Sequence, residues 1–575
     1  MIERRLRFFS ICILLVGAVL IGRLYMVQIV HGETYKEKAE RQYVVGANFF
    51  DRGSIFFTAK DGSLVPGATI KTGFTLAINP QVLSENSDIE NVFQRLSEIT
   101  EIDKETFFIK AGKTSDPYEE VVKRLPLDTA NKIRDLKIPG VSVYSEKWRI
   151  YPGEEMAAHT IGFVGYKGDE FAGRYGLERM YEPVLVRSRD GAFVNFFAEV
   201  FSNIEKSIEG ESLEGDIVTT IEPTVEAALE GELKKVTEKY GSEFSGGIIM
   251  DPKTGEIYAM ALYPSFDPNT PQKAKDSSVF RNKLVEDRYE MGSIIKPLTL
   301  AAGIDAGKIT ARTTYNDPGC ETLNKKTFCN YDKKSHGRAV SMQVALNKSL
   351  NTGMSFAVRQ MGNTTFADYM FKFGVATTTG IDIPNEGSSL VSNLSSTRDL
   401  EHAQASFGQG MAITPIQAVR ALSVLANGGT LVTPHLVKEI RHNIGTKKKT
   451  EIQKSDQVIS PETSEEISRM LTAVVDYSLK DGKVRLENYS LAAKTGTAQI
   501  AKAGGYEEDQ FLHSFFGYFP SYDAKFIIFL YTYNPKGVQY ASETLTDSFI
   551  GLSKFMINYY DIPPDREAPP PSTVQ

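Results

Sequence analysis

The apolar residues near the start of the chain form one nearly continuous run. It covers residues 8–30 and is interrupted by Arg23 and Gln28. At 1.5 Å per residue, a helix over this run would be about 34 Å long, enough to cross the hydrocarbon core of a membrane. Residues 1–7 carry three arginines and one glutamate, a bias that predicts a cytoplasmic N-terminal tail. The pattern predicts an uncleaved single-pass anchor with the rest of the chain outside, and a cleaved signal peptide is the alternative.

The next part of the chain, residues 31–222, has an irregular and mostly polar pattern. Short strand-like runs lie at residues 74–78 and 140–144, and a helical pattern lies at residues 91–96. This part carries no competing set of catalytic side chains and is predicted to be a non-catalytic α+β module, called the pedestal below. A helix predicted to begin at Pro223 marks the boundary to the next domain.

Two β-hairpins are predicted in the remaining chain. The first pairs residues 246–250 with 256–262, and the second pairs residues 515–519 with 526–531. The sequence between the two hairpins has a mostly helical pattern. Residues 223–560 are therefore predicted to form a mixed sheet flanked by helices, which makes the whole exterior part α+β.

Local signals mark one helix and the end of the chain. Thr414-Pro-Ile-Gln417 has the form of a capping box with proline at the first helical position, and Asn427-Gly-Gly429 is predicted to close that helix. The final residues, 561–575, are rich in proline and predict a disordered tail.

The composition is that of an ordinary globular protein. The chain has 575 residues, of which 41% are hydrophobic and 24% are charged, which argues against a disordered chain, a collagen-like repeat or a polytopic membrane protein. Lys and Arg number 65 against 72 Asp and Glu, a net charge of −7. Without a basic excess, no nucleic-acid partner is expected.

Ser293 is the first candidate for chemistry. It begins Ser293-Ile-Ile-Lys296, the only S-x-x-K in the chain, which follows Gly292 and opens a helical run. Residues i and i+3 share a helix face, so the Lys296 amine is expected to reach the Ser293 hydroxyl. The positive helix end would lower the pKa of this lysine and stabilise a nearby oxyanion. Serine needs such a base to act as a nucleophile; the tetrapeptide alone also fits a core helix with an incidental lysine.

Lys494-Thr-Gly-Thr497 is the second candidate, after a short apolar run. The tripeptide Lys-Thr-Gly occurs twice more, once in the pedestal and once in the turn of the first hairpin, so it is weak evidence by itself. Only the copy at Lys494 has the additional threonine and follows Ser293. Glycine at position 496 of an edge strand would let a substrate backbone approach closely.

Ser349-Leu-Asn351 lies between these two motifs. A hydroxyl and a carboxamide two residues apart can move a proton and hold a substrate amide, although a polar junction between a helix and a loop would look the same. The three motifs occur in the order and the exterior location of the penicillin-recognising serine acyl-transferases, whose three-part signature they form.

The chain resembles the class B penicillin-binding proteins from the anchor almost to the tail. Family-like segments are residues 51–55, 149–153, 158–163, 173–178, 250–255, 264–269 and 408–410. Met291 departs from the family pattern, where proline is usual, and so does Glu222, where aspartate is usual. The short stretch between His159 and Glu178 resembles the cell-division branch more than the elongation branch.

The resemblance implies a peptidoglycan D,D-transpeptidase. Lys296 would deprotonate Ser293, which attacks the penultimate D-Ala carbonyl of a stem peptide. Backbone N–H groups of Ser293 and Thr497 would form the oxyanion hole. Ser349 and Lys494 would pass the proton to the leaving D-Ala.

The resemblance also assigns the substrate contacts and the second half-reaction. Asn351 would orient the donor peptide, while Lys494, Thr495 and Thr497, with Gly496 between them, would bind its carboxylate. An amine of a neighbouring strand would then resolve the acyl-enzyme into a crosslink. A β-lactam would mimic D-Ala-D-Ala and leave a stable acyl-serine. The implied partners are the lipid bilayer, a polytopic membrane glycosyltransferase and other wall-synthesis proteins.

The residues also allow two alternative hypotheses for the function. One is a hydrolase of the same superfamily: a carboxypeptidase, a β-lactamase or a lactam sensor. The chain lacks the E-x-x-L-N motif that class A β-lactamases carry after the second motif, because Glu321-Thr-Leu-Asn324 precedes Ser349. The other is a catalytically idle, membrane-anchored scaffold, which degenerate motifs would favour; all three motifs are intact.

The remaining cysteines and histidines predict no metal site and no other cofactor. Cys320 and Cys329 can form a disulfide outside the cell. A zinc site that joins them to His336 would have poor spacing. His513 lies near the second hairpin and is interpreted as structural.

Overall fold

The computed structural model describes residues 51–86, 88–167, 170–187, 214–502 and 505–567. The predicted cytoplasmic tail, the anchor at residues 8–30 and the last eight residues of the predicted disordered tail lie outside the described residues. Within these described ranges, no helix is long and apolar enough to cross a membrane.

The described chain alternates between short strands and helices. The strands are β1 (Ile55–Thr58), β2 (Leu64–Ile78), β3 (Glu119–Leu125), β4 (Val141–Ile150), β5 (Val164–Lys167), β6 (Glu170–Gly173), β7 (Gly215–Thr219), β8 (Phe244–Met250), β9 (Ile257–Tyr263), β10 (Thr314–Asp317), β11 (Cys320–Leu323), β12 (Lys326–Cys329), β13 (Gly337–Ser341), β14 (Thr430–Val432), β15 (Val437–His442), β16 (Lys447–Lys449), β17 (Lys454–Gln457), β18 (Ala492–Lys502), β19 (Gly505–Phe519) and β20 (Phe526–Tyr533). The α-helices are α1 (Pro80–Asn86), α2 (Ile89–Ser97), α3 (Lys104–Ala111), α4 (Leu127–Asp135), α5 (Ala158–Ile161), α6 (Gly176–Met180), α7 (Glu182–Leu185), α8 (Pro223–Tyr240), α9 (Lys296–Asp305), α10 (Met342–Asn347), α11 (Asn351–Met361), α12 (Asn363–Lys372), α13 (Asp399–Ser406), α14 (Pro415–Ser423), α15 (Pro461–Tyr477), α16 (Ala541–Thr544) and α17 (Thr546–Tyr559).

The described residues form two compact units. The smaller holds residues 51–52 and 70–150, and the larger holds residues 53–69 together with the described residues from 151 onwards. In the smaller unit, β3 and β4 both pair with β2, and helices α1–α4 surround a core of Leu, Ile, Val and Phe side chains. Asp88 caps α2, accepting from the backbone N–H of Glu90.

A five-stranded sheet forms the centre of the larger unit. Its strand order is β18-β19-β20-β8-β9, and every neighbouring pair is antiparallel. Both predicted hairpins are confirmed, as β8–β9 and β19–β20. A mixed sheet was expected for this domain. Hairpin connections make three of the four neighbouring pairs antiparallel, and β20 pairs with β8 in the same sense although the two strands are distant in the sequence.

The central sheet separates two hydrophobic cores. In β8, Ile248 and Met250 face one core and Ile249 faces the other, because successive strand side chains point to opposite faces. Helices α8 and α17 cover one face. Helices α9 and α15, among others, cover the opposite face and contribute to the larger core. This layering places the start of α9 beside β18, the edge strand of the sheet.

A second sheet in the larger unit contains β16, β15, β7, β1 and the start of β2. The predicted capping box is confirmed: Thr414 accepts from the backbone N–H of Gln417, whose side chain accepts from the backbone N–H of Thr414. Helix α14 ends at Ser423, earlier than predicted, and Asn427 instead holds the following turn by accepting from the N–H groups of Gly429 and Thr430.

The ordered chain continues into the start of the predicted tail. Asp565 accepts hydrogen bonds from the backbone N–H and the hydroxyl of Ser490. Arg566 forms an ion pair with Asp476 at 2.7 Å. Residues 561–567 are therefore held against the larger unit, where Ile562 joins the core covered by α8 and α17.

Candidate active site

Ser293 lies in a tight 3-10 turn over Gly292–Ile295 that leads directly into α9. Gly292 has a φ of +62°, and a Cβ atom there would lie 2.8 Å from the carbonyl oxygen of Thr497. Its N–H donates to the carbonyl of Gly408 at 3.1 Å. Glycine is thus required both by the left-handed backbone and by the close approach of β18, which brings Ser293 next to Thr497.

Lys296 is completely buried at the start of α9. Its amine donates to the carbonyl oxygen of Ser349 at 2.5 Å and lies 3.1 Å from the Ser349 hydroxyl. Burial, together with the charge of Lys494, holds the pKa of Lys296 well below its ordinary value. Burial is therefore the main cause of the lowered pKa, rather than the helix end that the sequence suggested. Among the described residues, this amine bonds Ser349 and not Ser293.

Ser349 and Asn351 lie at the junction between α10 and α11. Ser349 adopts a left-handed backbone with a φ of +56°, and Asn351 is the first residue of α11. This conformation turns the chain so that the Ser349 carbonyl and hydroxyl both face Lys296. The Asn351 carboxamide donates to the carbonyl of Cys329 at 2.8 Å, which fixes its orientation.

The third motif, Lys494 to Thr497, lies within β18, the edge strand that was predicted for Gly496. Lys494 is 3% exposed, and its amine donates to the Thr495 carbonyl at 3.0 Å. Burial lowers the pKa of Lys494 to about 7. The Thr497 hydroxyl accepts from the backbone N–H of Ala541 at 3.1 Å, which ties the strand to the start of α16.

Gly496 has a packing role that the sequence did not predict. A Cβ atom there would lie 2.6 Å from the Met291 carbonyl oxygen and against the Ser514 hydroxyl. The missing side chain therefore makes room for the turn that carries Ser293. Ser514 also donates to the Met291 carbonyl at 2.8 Å, so this turn is held from both sides of Gly496.

One cavity of about 560 Å³ joins the three motifs. The sequence-predicted residues that line it are Ser293, Ser349, Asn351, Lys494, Thr495 and Thr497. Lys296 reaches it through Ser349, and Gly496 lies behind it against the Ser293 turn. The structure thus gathers the whole predicted set around one space, where a nucleophile, two amines of lowered pKa and an edge strand meet.

Tyr331 and Tyr540 lie at the mouth of this cavity, with their ring centroids 5.9 Å apart. Both come from loops with no periodic pattern, and sequence reasoning missed them. Tyr331 follows the β11–β12 hairpin, whose Cys320 and Cys329 form the disulfide that the sequence allowed.

A buried polar network holds this hairpin against α11. Asp317 accepts from the Thr352 hydroxyl at 2.7 Å and from the Asn330 carboxamide at 3.0 Å. Asn330 in turn accepts from the backbone N–H of Thr352. Hydrogen bonds from Thr352 and from neighbouring groups keep the pKa of Asp317 below its ordinary value despite burial. Because Thr352 follows Asn351 directly, the network positions the second motif.

His513 pairs with Thr497 across β18 and β19 and is fully buried. Its ring contacts the Thr544 hydroxyl at 3.0 Å and the Gln539 carbonyl at 3.1 Å. Burial lowers its pKa to about 4, so the ring is neutral near pH 7. His513 supports the segment that carries Tyr540, in keeping with its structural interpretation. Within the described residues, no group of three or more metal-binding side chains occurs.

Two family models match the chain. A model described as penicillin binding protein transpeptidase domain matches residues 246–550, which is more than half of the chain. A model described as penicillin-binding protein dimerisation domain matches residues 51–209.

Similar proteins and structures agree with these matches. The chain is 30% identical over 568 residues to stage V sporulation protein D of Bacillus subtilis, covering 96% of this chain and 84% of that protein. It is 25% identical to peptidoglycan D,D-transpeptidase FtsI of Buchnera aphidicola, covering 97% and 96%. The fold matches penicillin binding protein 2X from Streptococcus thermophilus with a TM-score of 0.73 at 20% identity, covering 89% of this chain and 80% of that one.

Proposed function

The chain belongs to the class B penicillin-binding protein family, and from that premise we propose that it is a peptidoglycan D,D-transpeptidase that works through an acyl-enzyme on Ser293. The observation that carries the proposal is the single cavity around which Ser293, Ser349 and Lys494 meet, with Lys296 buried beside them. The substrates are peptidoglycan stem peptides, and β-lactams bind at the same serine as covalent inhibitors.

Acylation begins when the neutral Lys296 amine, which bonds Ser349 in the resting structure, turns to the Ser293 hydroxyl and accepts its proton. The serine oxygen forms a bond to the penultimate D-Ala carbonyl carbon, and the backbone N–H groups of Ser293 and Thr497 stabilise the oxyanion. The peptide C–N bond then breaks. The proton travels through the Ser349 hydroxyl, 3.1 Å from the Lys296 amine, to the nitrogen of the departing D-Ala.

Binding of the donor uses the edge strand and the second motif. The terminal carboxylate of the donor meets Lys494 and the hydroxyls of Thr495 and Thr497, which line the cavity. Asn351, held by the Cys329 carbonyl, orients the peptide. An amine of a second stem peptide attacks the acyl-enzyme in the reverse sense, which restores Ser293 and leaves a crosslink.

We place the enzyme at the bacterial cytoplasmic membrane, with residues 8–30 as a single-pass anchor and the catalytic domain outside. The apolar run and the arginines before it support this topology. A polytopic membrane glycosyltransferase is the proposed partner, because crosslinking requires newly polymerised strands. Alkaline extraction of membranes tests the anchor: release of the chain into the soluble fraction would contradict it.

A role in cell division is proposed from the FtsI relative and from the short stretch between His159 and Glu178. Depletion in growing cells is expected to give filaments that fail to complete septa. Rounded cells of normal division frequency would instead indicate the elongation role.

Fluorescent penicillin labelling of the full chain in detergent tests the serine acyl-enzyme. A lasting adduct is expected on Ser293, located by mass mapping, and it is lost in Ser293→Ala. Ser478→Ala is the matched control, because Ser478 lines the same cavity and should keep the label. Rapid release of the label would indicate a hydrolase, and no adduct from a folded sample would favour the idle scaffold.

A second assay separates transfer from hydrolysis. A D-Ala-D-Ala donor peptide is incubated with an amine acceptor, and the products are weighed by mass spectrometry. A crosslinked product is expected from the wild type. Release of D-Ala with only the shortened donor acid as the second product would make the protein a carboxypeptidase.

A further inference from the structure

The catalytic cavity has an uneven charge. Lys348, Lys480 and Lys494 line it, while none of its lining residues in the described part of the chain is an aspartate or glutamate. The proposed reaction uses Lys494 for the terminal carboxylate of the donor. Two cations at the cavity wall are therefore left without a role in that reaction.

These two cations differ in how they are compensated. The Lys480 amine lies 2.5 Å from a carboxylate oxygen of Asp547 and is paired. Lys348 is exposed and forms no ion pair with any residue that the structure describes. Its nearest polar partner is the ring of His336, with Lys348 Nζ 3.3 Å from His336 Nδ1.

The contact with His336 orients the Lys348 amine and leaves its positive charge unpaired among the described residues. An ammonium group can only donate, so His336 Nδ1 is the acceptor in this contact. The other ring nitrogen, Nε2, lies 3.1 Å from Asp332 Oδ2. The backbone N–H of His336 donates to the buried Asp317 at 2.9 Å, which fixes the backbone that carries the ring. Lys348 is therefore a positioned and uncompensated positive charge at the cavity wall.

Lys348 also lies next to the substrate contacts. It directly precedes Ser349 in the turn between α10 and α11, and Asn351 follows on the same turn. A donor peptide that is oriented by Asn351 and bound through its terminal carboxylate at Lys494 must pass this turn. A side group of the donor peptide at this point would contact the Lys348 ammonium.

We propose that Lys348 binds a second carboxylate of the acyl donor, upstream of the D-Ala-D-Ala end. This inference rests on the proposed function of the same site. It makes the preferred substrate class a stem peptide with a free carboxylate near its terminus, in place of a carboxamide at that position. Lys348 is then a specificity-determining residue. Lys480 is not, because its amine already forms an ion pair with Asp547.

Two donor peptides that differ only at that group test the inference. Both end in D-Ala-D-Ala, and one carries a free upstream carboxylate while the other carries the carboxamide. The kcat/KM for D-Ala release is measured with the full chain in detergent. The wild type is expected to prefer the carboxylate donor by about fivefold, the upper range for a partly exposed ion pair.

The variants assign this preference to one residue. Lys348→Gln should react with both donors at equal kcat/KM, because the amide keeps a polar side chain of similar size but removes the charge. Lys480→Gln, the matched control, should keep the wild-type preference. High ionic strength should reduce the preference in the wild type, since salt screens a partly exposed pair.

The possible failures are distinguishable. Equal rates for the two donors in the wild type, or a preference that persists in Lys348→Gln, would overturn the inference while leaving the proposed function standing. If folded wild-type protein reacts with neither donor and takes no fluorescent penicillin on Ser293, the proposed function fails, and the inference fails with it.

Discussion

At the scale of single residues, burial of two amines is the feature on which the chemistry depends. Lys296 and Lys494 are both almost inaccessible to solvent, and burial lowers the pKa of each. A lysine of ordinary pKa is protonated near pH 7 and cannot act as a base. The fold therefore produces a usable base by removing water from the amine, at a cost in stability.

The destabilisation caused by burying the Lys494 amine predicts how the stability of Lys494→Met depends on pH. The folded pKa of Lys494 is about 7, below the ordinary value of 10.5, so the unfolded chain binds the extra proton between these limits. The free energy of unfolding therefore rises with pH across that window. The variant should be more stable than the wild type by about 2 kcal/mol near pH 7 and by progressively less toward pH 10.5. Urea unfolding at several pH values measures this difference.

The same variant should be acylated more slowly, because it can no longer bind the carboxylate of the donor or of the drug. Fluorescent penicillin labelling should slow by about 100-fold. A stability gain that is the same at every pH would contradict the argument, since it would come from packing and not from the charge.

At the scale of elements, the contact between β18 and the Ser293 turn sets the geometry of the site. Gly496 fits against Met291 and Ser514 only because it has no side chain. Gly496→Ala should push the strand away from the turn and misplace the Thr497 N–H relative to Ser293. A displacement of this size is expected to slow acylation by about 100-fold.

Gly505→Ala is the matched control for this change. Gly505 lies on β19, the strand paired with β18, and a Cβ atom there meets nothing within 4 Å. Second-order rates of penicillin acylation should be unchanged in this control. Wild-type rates in Gly496→Ala would show that the strand does not position the oxyanion hole.

The elements also show what the sequence could and could not predict. The hairpins β8–β9 and β19–β20 follow from apolar runs and turn residues, which are local signals. The capping box at Thr414 is local as well. The direction that Gly496 faces depends on the register of β18 against β19, and no local pattern specifies that register.

The network around Asp317 was missed for a related reason. Asp317, Asn330 and Thr352 are joined by side-chain hydrogen bonds over separations of 13 to 35 residues. They lie at the end of a short strand, in a loop and at a helix start, where neither a period of 2 nor a period of 3.6 can develop. The order of the three motifs located the site, but only the tertiary structure could show what supports it.

At the scale of the whole molecule, a buried carboxyl group and a half-buried one link α8 to its surroundings. Glu226 accepts from the backbone N–H of Met260 at 2.8 Å, and Glu230 accepts from that of Ala157 at 2.9 Å. Burial, and then the proximity of Glu230, raise the pKa of Glu226 well above its ordinary value. Burial raises the pKa of Glu230 to about 7.

These shifts predict that Glu226→Gln stabilises the protein at high pH. A raised pKa means that the folded chain binds more protons than the unfolded chain, so stability falls as pH rises above about 4.5. Glutamine mimics the protonated carboxyl group and keeps the acceptor for Met260. The variant should gain about 2 kcal/mol of unfolding free energy over the wild type at pH 8 and little at pH 4.5.

Glu232→Gln controls for the loss of a carboxylate from the same helix. Glu232 is paired with Lys235 at the surface, so its loss should change stability by less than about 1 kcal/mol at either pH. Thermal unfolding of the wild type and both variants, compared at each pH, cancels the contributions of other groups. Equal stability of Glu226→Gln and wild type at pH 8 would mean that Glu226 is not protonated in the folded protein.

The meeting of Gly292, Gly408 and Gly496 beside the Ser293 turn has an evolutionary consequence. At each of these positions a side chain would collide with backbone atoms, so a bacterium under β-lactam selection cannot gain resistance by substitution there without losing wall synthesis. The half-exposed and exposed residues of the segment 539–542 border the same cavity and have no such constraint. Mutations that discriminate between drug and stem peptide should therefore accumulate in that segment, while the three glycines stay fixed in resistant isolates.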